Sequence, residues 1–174
     1  MARWLAPLPV LVLLGLVALF AGYGLHHDPR VSPAALVGKP LPDLALKPLD
    51  GSGPPRSLRA DLHGPAVVNL FASWCVPCAA EAPYLMALKA RGVRIIGVAY
   101  KDDPAAAKAF LERNGQPYTE VLSDSDGRAG VELGISGVPE SFMVGADGRV
   151  RSKRSGPLVE ADVALVPAEL TSTH

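Results

Sequence analysis

Residues 4–25 run for 22 positions without a charged side chain (WLAPLPVLVLLGLVALFAGYGL), and the chain after them alternates short apolar runs with polar, turn-rich stretches. A bilayer core of ~30 Å needs about 20 apolar residues as a helix, so the first run is long enough to span it. The competing assignment is a cleaved signal peptide, whose apolar region is normally about 7–15 residues and closes on a small-x-small site. The exit of this run, Ala18-Leu19-Phe20-Ala21, lacks a clean pair of small residues two apart. The pattern therefore predicts one N-terminal transmembrane helix, an uncleaved anchor over residues 1–25. Pro7 and Pro9 fall in its first turns, where proline harms a helix least. Arg3 weakly favours a cytoplasmic N-terminus, a bias that Arg30 on the far side dilutes. The stretch 26–40 (HHDPRVSPAALVGKP) is rich in Pro and lacks apolar periodicity, so residues 26–36 are expected to be a tether and 37–174 a domain. His26 and His27 beside the span are taken as linker rather than as metal ligands.

From residue 37 onward the pattern alternates strands with helices. A short strand is expected at 41–46, followed by the turn residues 50–53. The runs 65–71 (PAVVNLF) and 93–100 (VRIIGVAY) are continuously apolar, as in strands buried on both faces. Between them 75–90 has helical character and stops at Gly92. Asp103 and Pro104 open the next helix, an N-cap acid with Pro at the first helical position, and Gly115 closes it. Strands are expected at 118–124 and 137–144, the latter turning at Ala146-Asp147-Gly148 into 149–155 as an antiparallel hairpin. A closing helix near 158–170 is expected to be shortened by Pro167. The sum is an α/β domain with a central mixed sheet flanked by helices.

Composition narrows the function. Lys+Arg and Asp+Glu are 17 each in 174 residues, so no basic excess is present to neutralise phosphates, which argues against a nucleic-acid partner. The two cysteines are too few for a disulfide framework or a complete zinc site. No metal, flavin or nucleotide motif is found, so no cofactor is expected.

The chemistry is concentrated in 71–83 (FASWCVPCAAEAP). A strand ends at Phe71 and a helix begins at Cys75, where unpaired backbone N–H groups and the helix dipole favour negative charge. The thiolate is the reactive form, and this placement lowers the thiol pKa. Cys78 lies one turn further in on the same face, within reach for a disulfide. Such a pair can attack a disulfide, pass through a mixed disulfide and close on itself. Pro77 between them restricts the loop. Other uses of the pair fit less well. A zinc site would need ligands beyond the isolated His63 and His174, and haem attachment would need His where Ala79 stands. A structural clip has no further residues in its favour. Copper-carrying domains of this shape use three residues between the cysteines and a distant His, leaving a tethered copper- or haem-delivery module as the alternative from another class.

Trp74-Cys75-Val76-Pro77-Cys78 after a buried strand, with Gly137-Val138-Pro139 some sixty residues later, resembles the thioredoxin superfamily. More narrowly, 35–44 (ALVGKPLPDL), the WCVPCAAE run, 97–103 (GVAYKDD) and 137–142 (GVPESF) resemble the membrane-anchored thiol:disulfide interchange proteins of cytochrome c maturation (CcmG/DsbE type). The resemblance implies a thioredoxin-like fold and an oxidoreductase that reduces the disulfide of apocytochrome c at the periplasmic face of a bacterial-type inner membrane. It makes Cys75 the attacking thiol, Cys78 the resolving thiol and Pro139 a cis, client-facing residue. It also implies a transmembrane thiol reductant as electron donor. A general disulfide reductase or isomerase is the alternative within the same chemistry.

One departure is informative. Thioredoxins carry a buried Asp six residues before the first Cys, and here that position is Asn69, which takes no proton. Glu81 is the nearest substitute, three residues after Cys78. It is equally consistent with a solvated helix charge. Glu140, beside Pro139, is a second acid, and both are assigned a tuning role. Asp102 and Asp103 are either a third source of acid or the cap of the next helix. Trp74 and Tyr100 are expected to shape the pocket, and Tyr84 to pack in the core.

Overall fold

The computed structural model describes residues 8–26 and 36–172, which fall in two compact units dividing at Arg30/Val31. The first holds helix α1 (Leu8–His26), whose described side chains, 10–19 and 22, are exposed. Among the described residues no helix is long and apolar enough to cross a membrane; the uncharged run of the sequence begins before them, at Trp4. Arg3, Pro7, the tether from 27 to 35, His27 and His174 also lie outside the described residues.

The second unit contains β1 (Ala45–Pro48), β2 (Arg56–Ser57), β3 (Ala66–Phe71), α2 (Val76–Ala90), β4 (Ile95–Tyr100), α3 (Pro104–Asn114), β5 (Glu120–Asp124), α4 (Arg128–Glu132), β6 (Glu140–Val144), β7 (Val150–Ser155) and α5 (Glu160–Thr171). The strands form one mixed sheet in the order β2-β1-β5-β4-β3-β6-β7. β3, β4 and β5 run parallel, and β6 returns antiparallel beside β3 with Leu70 opposite Glu140. The carboxyl ends of β3 and β4 and the start of β6 therefore meet at one end of the sheet, and α2 begins there.

β3 and β4 carry no polar face because both faces are covered. Val67, Phe71, Ile95 and Met143 pack with Leu85 and Leu88 of α2, Phe110 of α3 and Val166 of α5. On the opposite face Val68, Leu70, Val98 and Phe142 pack with Leu41, Leu58 and Leu133. Asn69 lies on the α2 side of β3 by alternation, at zero exposure.

Helix α3 is capped as its sequence predicts: the Asp103 carboxylate accepts the N–H groups of Ala105 and Ala106, and Gly115 stands past the end with φ +98°. Other boundaries move. The first strand is 45–48 rather than 41–46, because Leu41 donates its N–H to Gly148 and not to the sheet. The strand expected from 137 starts at Glu140, since Pro139 offers no N–H to the ladder; the Val138–Pro139 bond is cis. Pro167 does not shorten α5. The Val163 carbonyl, which Pro167 cannot bond, is taken instead by the Arg91 guanidinium at 2.9 Å.

β7 is bulged against β6: Met143 pairs with Ser152 and Val144 with Val150. The bulge reverses the in–out alternation, so Lys153 points inward and is buried. Outside β7, residues 37–40 lie along its first half, with Val37 and Pro40 bridging Val150 and Arg149.

Candidate active site

Cys75 is the N-cap of α2 and Pro77 lies in its first turn, as the strand-to-helix switch after Phe71 dictates. Cys75 and Cys78 form a disulfide, with Cα atoms 5.3 Å apart. The backbone N–H of Cys78 points at Cys75 Sγ, 3.1 Å away. On reduction that N–H and the helix dipole would act on a Cys75 thiolate, favouring it. Both sulfurs sit in an apolar cluster with Phe71, Ala72 and Leu85, and Cys75 is only 4% exposed. Trp74 and Val76 beside it are open to solvent and form an apolar rim.

Glu81 is fully buried, so it is not a solvated helix charge. Its Oε1 accepts from the Asn69 side-chain amide and its Oε2 from the Leu158 N–H, both at 2.9 Å. Burial pushes its carboxyl up to about 7. The two backbone and amide donors oppose that rise, and the Asp162 charge adds to it. Asn69 also donates to Ser141 Oγ at 2.9 Å and accepts at Oδ1 from the Tyr118 hydroxyl at 2.7 Å. Tyr118 lies flat over Gly97, where a Cβ would come within 2.8 Å of its ring, so only glycine fits there. Burial, and then the Glu81 charge, hold the Tyr118 hydroxyl well above its ordinary pKa.

Glu140 is buried as well, but it is paired. Its Oε2 meets the Lys153 ammonium at 2.6 Å as an ion pair lacking hydrogen-bond alignment, and its Oε1 accepts from the Ser136 N–H at 3.0 Å and hydroxyl at 2.6 Å. Lys153 also donates to the Gly134 carbonyl at 3.1 Å. The pair thus closes both ends of the loop that carries the cis Val138–Pro139 bond. The expectation that Glu140 adds bare negative charge beside the cysteines is corrected: a cation is in contact with it.

Pro139 follows directly on this loop, at the end of the sheet where α2 starts, and Val138 packs against the cluster containing both cysteines. Asp103 is a helix cap, and Asp102 instead reaches the Ser73 backbone. Tyr84 is half-buried against the α2-side core. His63 lies in the loop before β3. A groove of about 470 Å³ lined by Leu49, Lys108, Leu111 and Val121 contains none of these site residues. Sequence reasoning missed Lys153, Ser136, Ser73 and Tyr118. The only sequence signal for Lys153 was its place opposite the Pro-Glu strand.

The Redoxin family profile matches residues 36–166. The chain belongs to the Redoxin family. Among its relatives, the thiol:disulfide interchange protein HelX of Rhodobacter capsulatus is 42% identical over 164 residues, covering 92% of this chain and 91% of that one. The thiol:disulfide interchange protein DsbE of Escherichia coli is 40% identical over 134 residues, 75% of this chain and 71% of that one. A solved structure of MTB dsbF, in mixed oxidised and reduced forms, superposes with TM-score 0.64 at 27% identity over 74% of this chain and 96% of that one. With a thioredoxin-like fold and a Cys-x-x-Cys disulfide at a helix start, this Redoxin-family chain is a thiol-disulfide oxidoreductase.

Proposed function

We propose that the chain is a membrane-anchored, periplasm-facing reductase that opens the disulfide of apocytochrome c so that its free thiols accept haem. The observation that carries the direction of electron flow is Glu81, a carboxyl with neutral donors only, buried one helical turn beyond Cys78. When ionised it disfavours a thiolate nearby, which leaves the reduced pair less stabilised and the couple more reducing. Kinship with HelX and DsbE supports thiol:disulfide interchange, and the 35–44 and 97–103 segments support the cytochrome client.

In this reading the Cys75 thiolate attacks one sulfur of the client disulfide, and the other client sulfur leaves as a thiolate. Cys78 then attacks Cys75 Sγ, closing the enzyme disulfide and releasing the second client thiol. The client gains two electrons and two protons, and the enzyme loses them. Pro139 faces the client. Trp74 and Pro77 shape the surface around Cys75. A transmembrane thiol donor restores the reduced pair.

The test is trapping. Cys78→Ser lacks the resolving thiol and should accumulate a mixed disulfide between Cys75 and its client, identified by mass spectrometry. Recovery of only unrelated envelope proteins would overturn the cytochrome assignment. The anchor, supported by the uncharged run 4–25, predicts retention in membranes after alkaline carbonate washing. A mature N-terminus near Gly22 or His26 would replace it with a cleaved signal.

A further inference from the structure

The 97–103 segment does more than link β4 to α3. Just past β4, Lys101 takes φ +46°, a left-handed conformation that residues with a side chain rarely adopt. Its surroundings hold it there. The Lys101 N–H donates to the Asp124 carbonyl at 2.9 Å, and its carbonyl accepts the Trp74 indole N–H at 3.3 Å. Its ammonium lies 5.3 Å from the Tyr100 ring centroid. Its stem occupies the space over Gly127, where a Cβ would come within 2.3 Å of it.

The turn delivers the Asp102 carboxylate to the loop ahead of Cys75. Oδ2 accepts the Ser73 N–H at 2.5 Å, and Oδ1 accepts the Ser73 hydroxyl at 2.8 Å and the Asp103 N–H at 2.9 Å. Asp102 is 9% exposed. It is not needed to cap α3, because Asp103 already does so. Both residues preceding Cys75 are thus tied to the end of β4, Ser73 by a carboxylate and Trp74 by a carbonyl.

We propose that Asp102 is a positioning residue for disulfide exchange, fixing Ser73 and Trp74 so that Cys75 Sγ meets an incoming disulfide already aligned. The proposal rests on Cys75 being the attacking thiol. In the step concerned, a bond forms between Cys75 Sγ and one substrate sulfur while the substrate S–S bond breaks and its other sulfur leaves as thiolate. Asp102 exchanges no proton in it.

A positioning role and a charge role predict opposite signs. As a negative charge, Asp102 would hinder ionisation of Cys75, and its removal would speed the reaction near neutral pH. As a brace, its removal slows the reaction even when the thiolate is fully formed. The experiment is stopped-flow measurement of the second-order rate of the reduced full-length chain, in detergent, with insulin and with 5,5′-dithiobis(2-nitrobenzoate), across pH. Asp102→Ala should lower the high-pH plateau by about tenfold with both substrates, within the range that misplacement of reacting groups produces. Ser73→Ala, which keeps the backbone N–H bond and loses only the hydroxyl, should lower it less. An unchanged plateau with only a shifted midpoint overturns the proposal. If Asp102→Ala loses its near-ultraviolet circular dichroism, Ser73→Ala decides alone, and an unchanged plateau there overturns the proposal. Sub-stoichiometric iodoacetamide on the reduced wild type separates the two readings. Label on Cys78 rather than Cys75 overturns the attacking-thiol assignment, and label on Cys75 leaves the rates to judge Asp102.

Discussion

Glu81 and Glu140 are buried to the same degree, 0% and 1% exposed, on opposite faces of the sheet, and the protein holds them by different means. Glu140 touches a cation, Lys153, and is braced by Ser136. Glu81 receives only neutral donors, the Asn69 amide and the Leu158 N–H, and burial lifts it to about 7. The first arrangement fixes a loop, with charge balanced at the point of contact. The second leaves a group able to change charge near neutral pH beside a redox pair. Two acids that look alike in sequence therefore do different work, one mechanical and one electrostatic.

The largest expected effect lies on the mechanical side. Lys153→Met leaves the Glu140 carboxylate buried without its cation, and should cost about 3–5 kcal/mol in chemical denaturation. Pairing it with Glu140→Gln removes the stranded charge and should recover most of that loss. A single variant as stable as wild type would show that the pair does not hold the loop.

The next effect is on the electrostatic side. Because the folded state raises the Glu81 pKa from 4.5 to about 7, it keeps a proton that the unfolded chain releases in that window. Stability of the oxidised protein should therefore fall as pH rises from about 4.5 to about 7 and level off above, by on the order of 3 kcal/mol. Glu81→Gln should lack this fall. Denaturation midpoints across pH for both proteins check it, and parallel curves would count against a titrating Glu81.

The smallest effect is on the cysteines. Glu81→Gln should make the couple more oxidising by about 30 mV near pH 8, equivalent to ~1.4 kcal/mol, with the difference shrinking near pH 5.5 where Glu81 is protonated. Equilibration with glutathione measures it. A shift of equal size at both pH values would mean that charge is not the means.

Much of the fold was legible because its determinants are local. β3 and β4 announce themselves by apolar runs, and α3 by Asp103, Pro104 and Gly115. β2 is two residues long and α4 five, too short for any periodicity, and α4 takes its stabilising acceptor from Asp124 at the end of β5. The cysteines and the Asn69–Glu81 relation could be placed by spacing along β3 and α2. Lys153 could not, since plain alternation from Val150 puts it in solvent and only the bulge turns it in. Asp102 against Ser73 is likewise a contact across 29 positions that no local pattern announces.

The two edges of the sheet have a consequence of their own. At one side β2 offers two residues, Arg56 and Ser57. At the other, residues 38 and 39 exchange backbone hydrogen bonds with Val150, and the rest of β7 is bulged and carries Arg151 and Arg154, with the Lys153 charge turned inward. Little unpaired, flat backbone is left at either side for a foreign strand to extend. An unfolded polypeptide has many segments ready to join such an edge, and once joined they are slow to leave. A sheet blunted at both sides denies them that seed, so contact with such a chain can be confined to the apolar rim and the sulfur, and can end when the sulfur lets go.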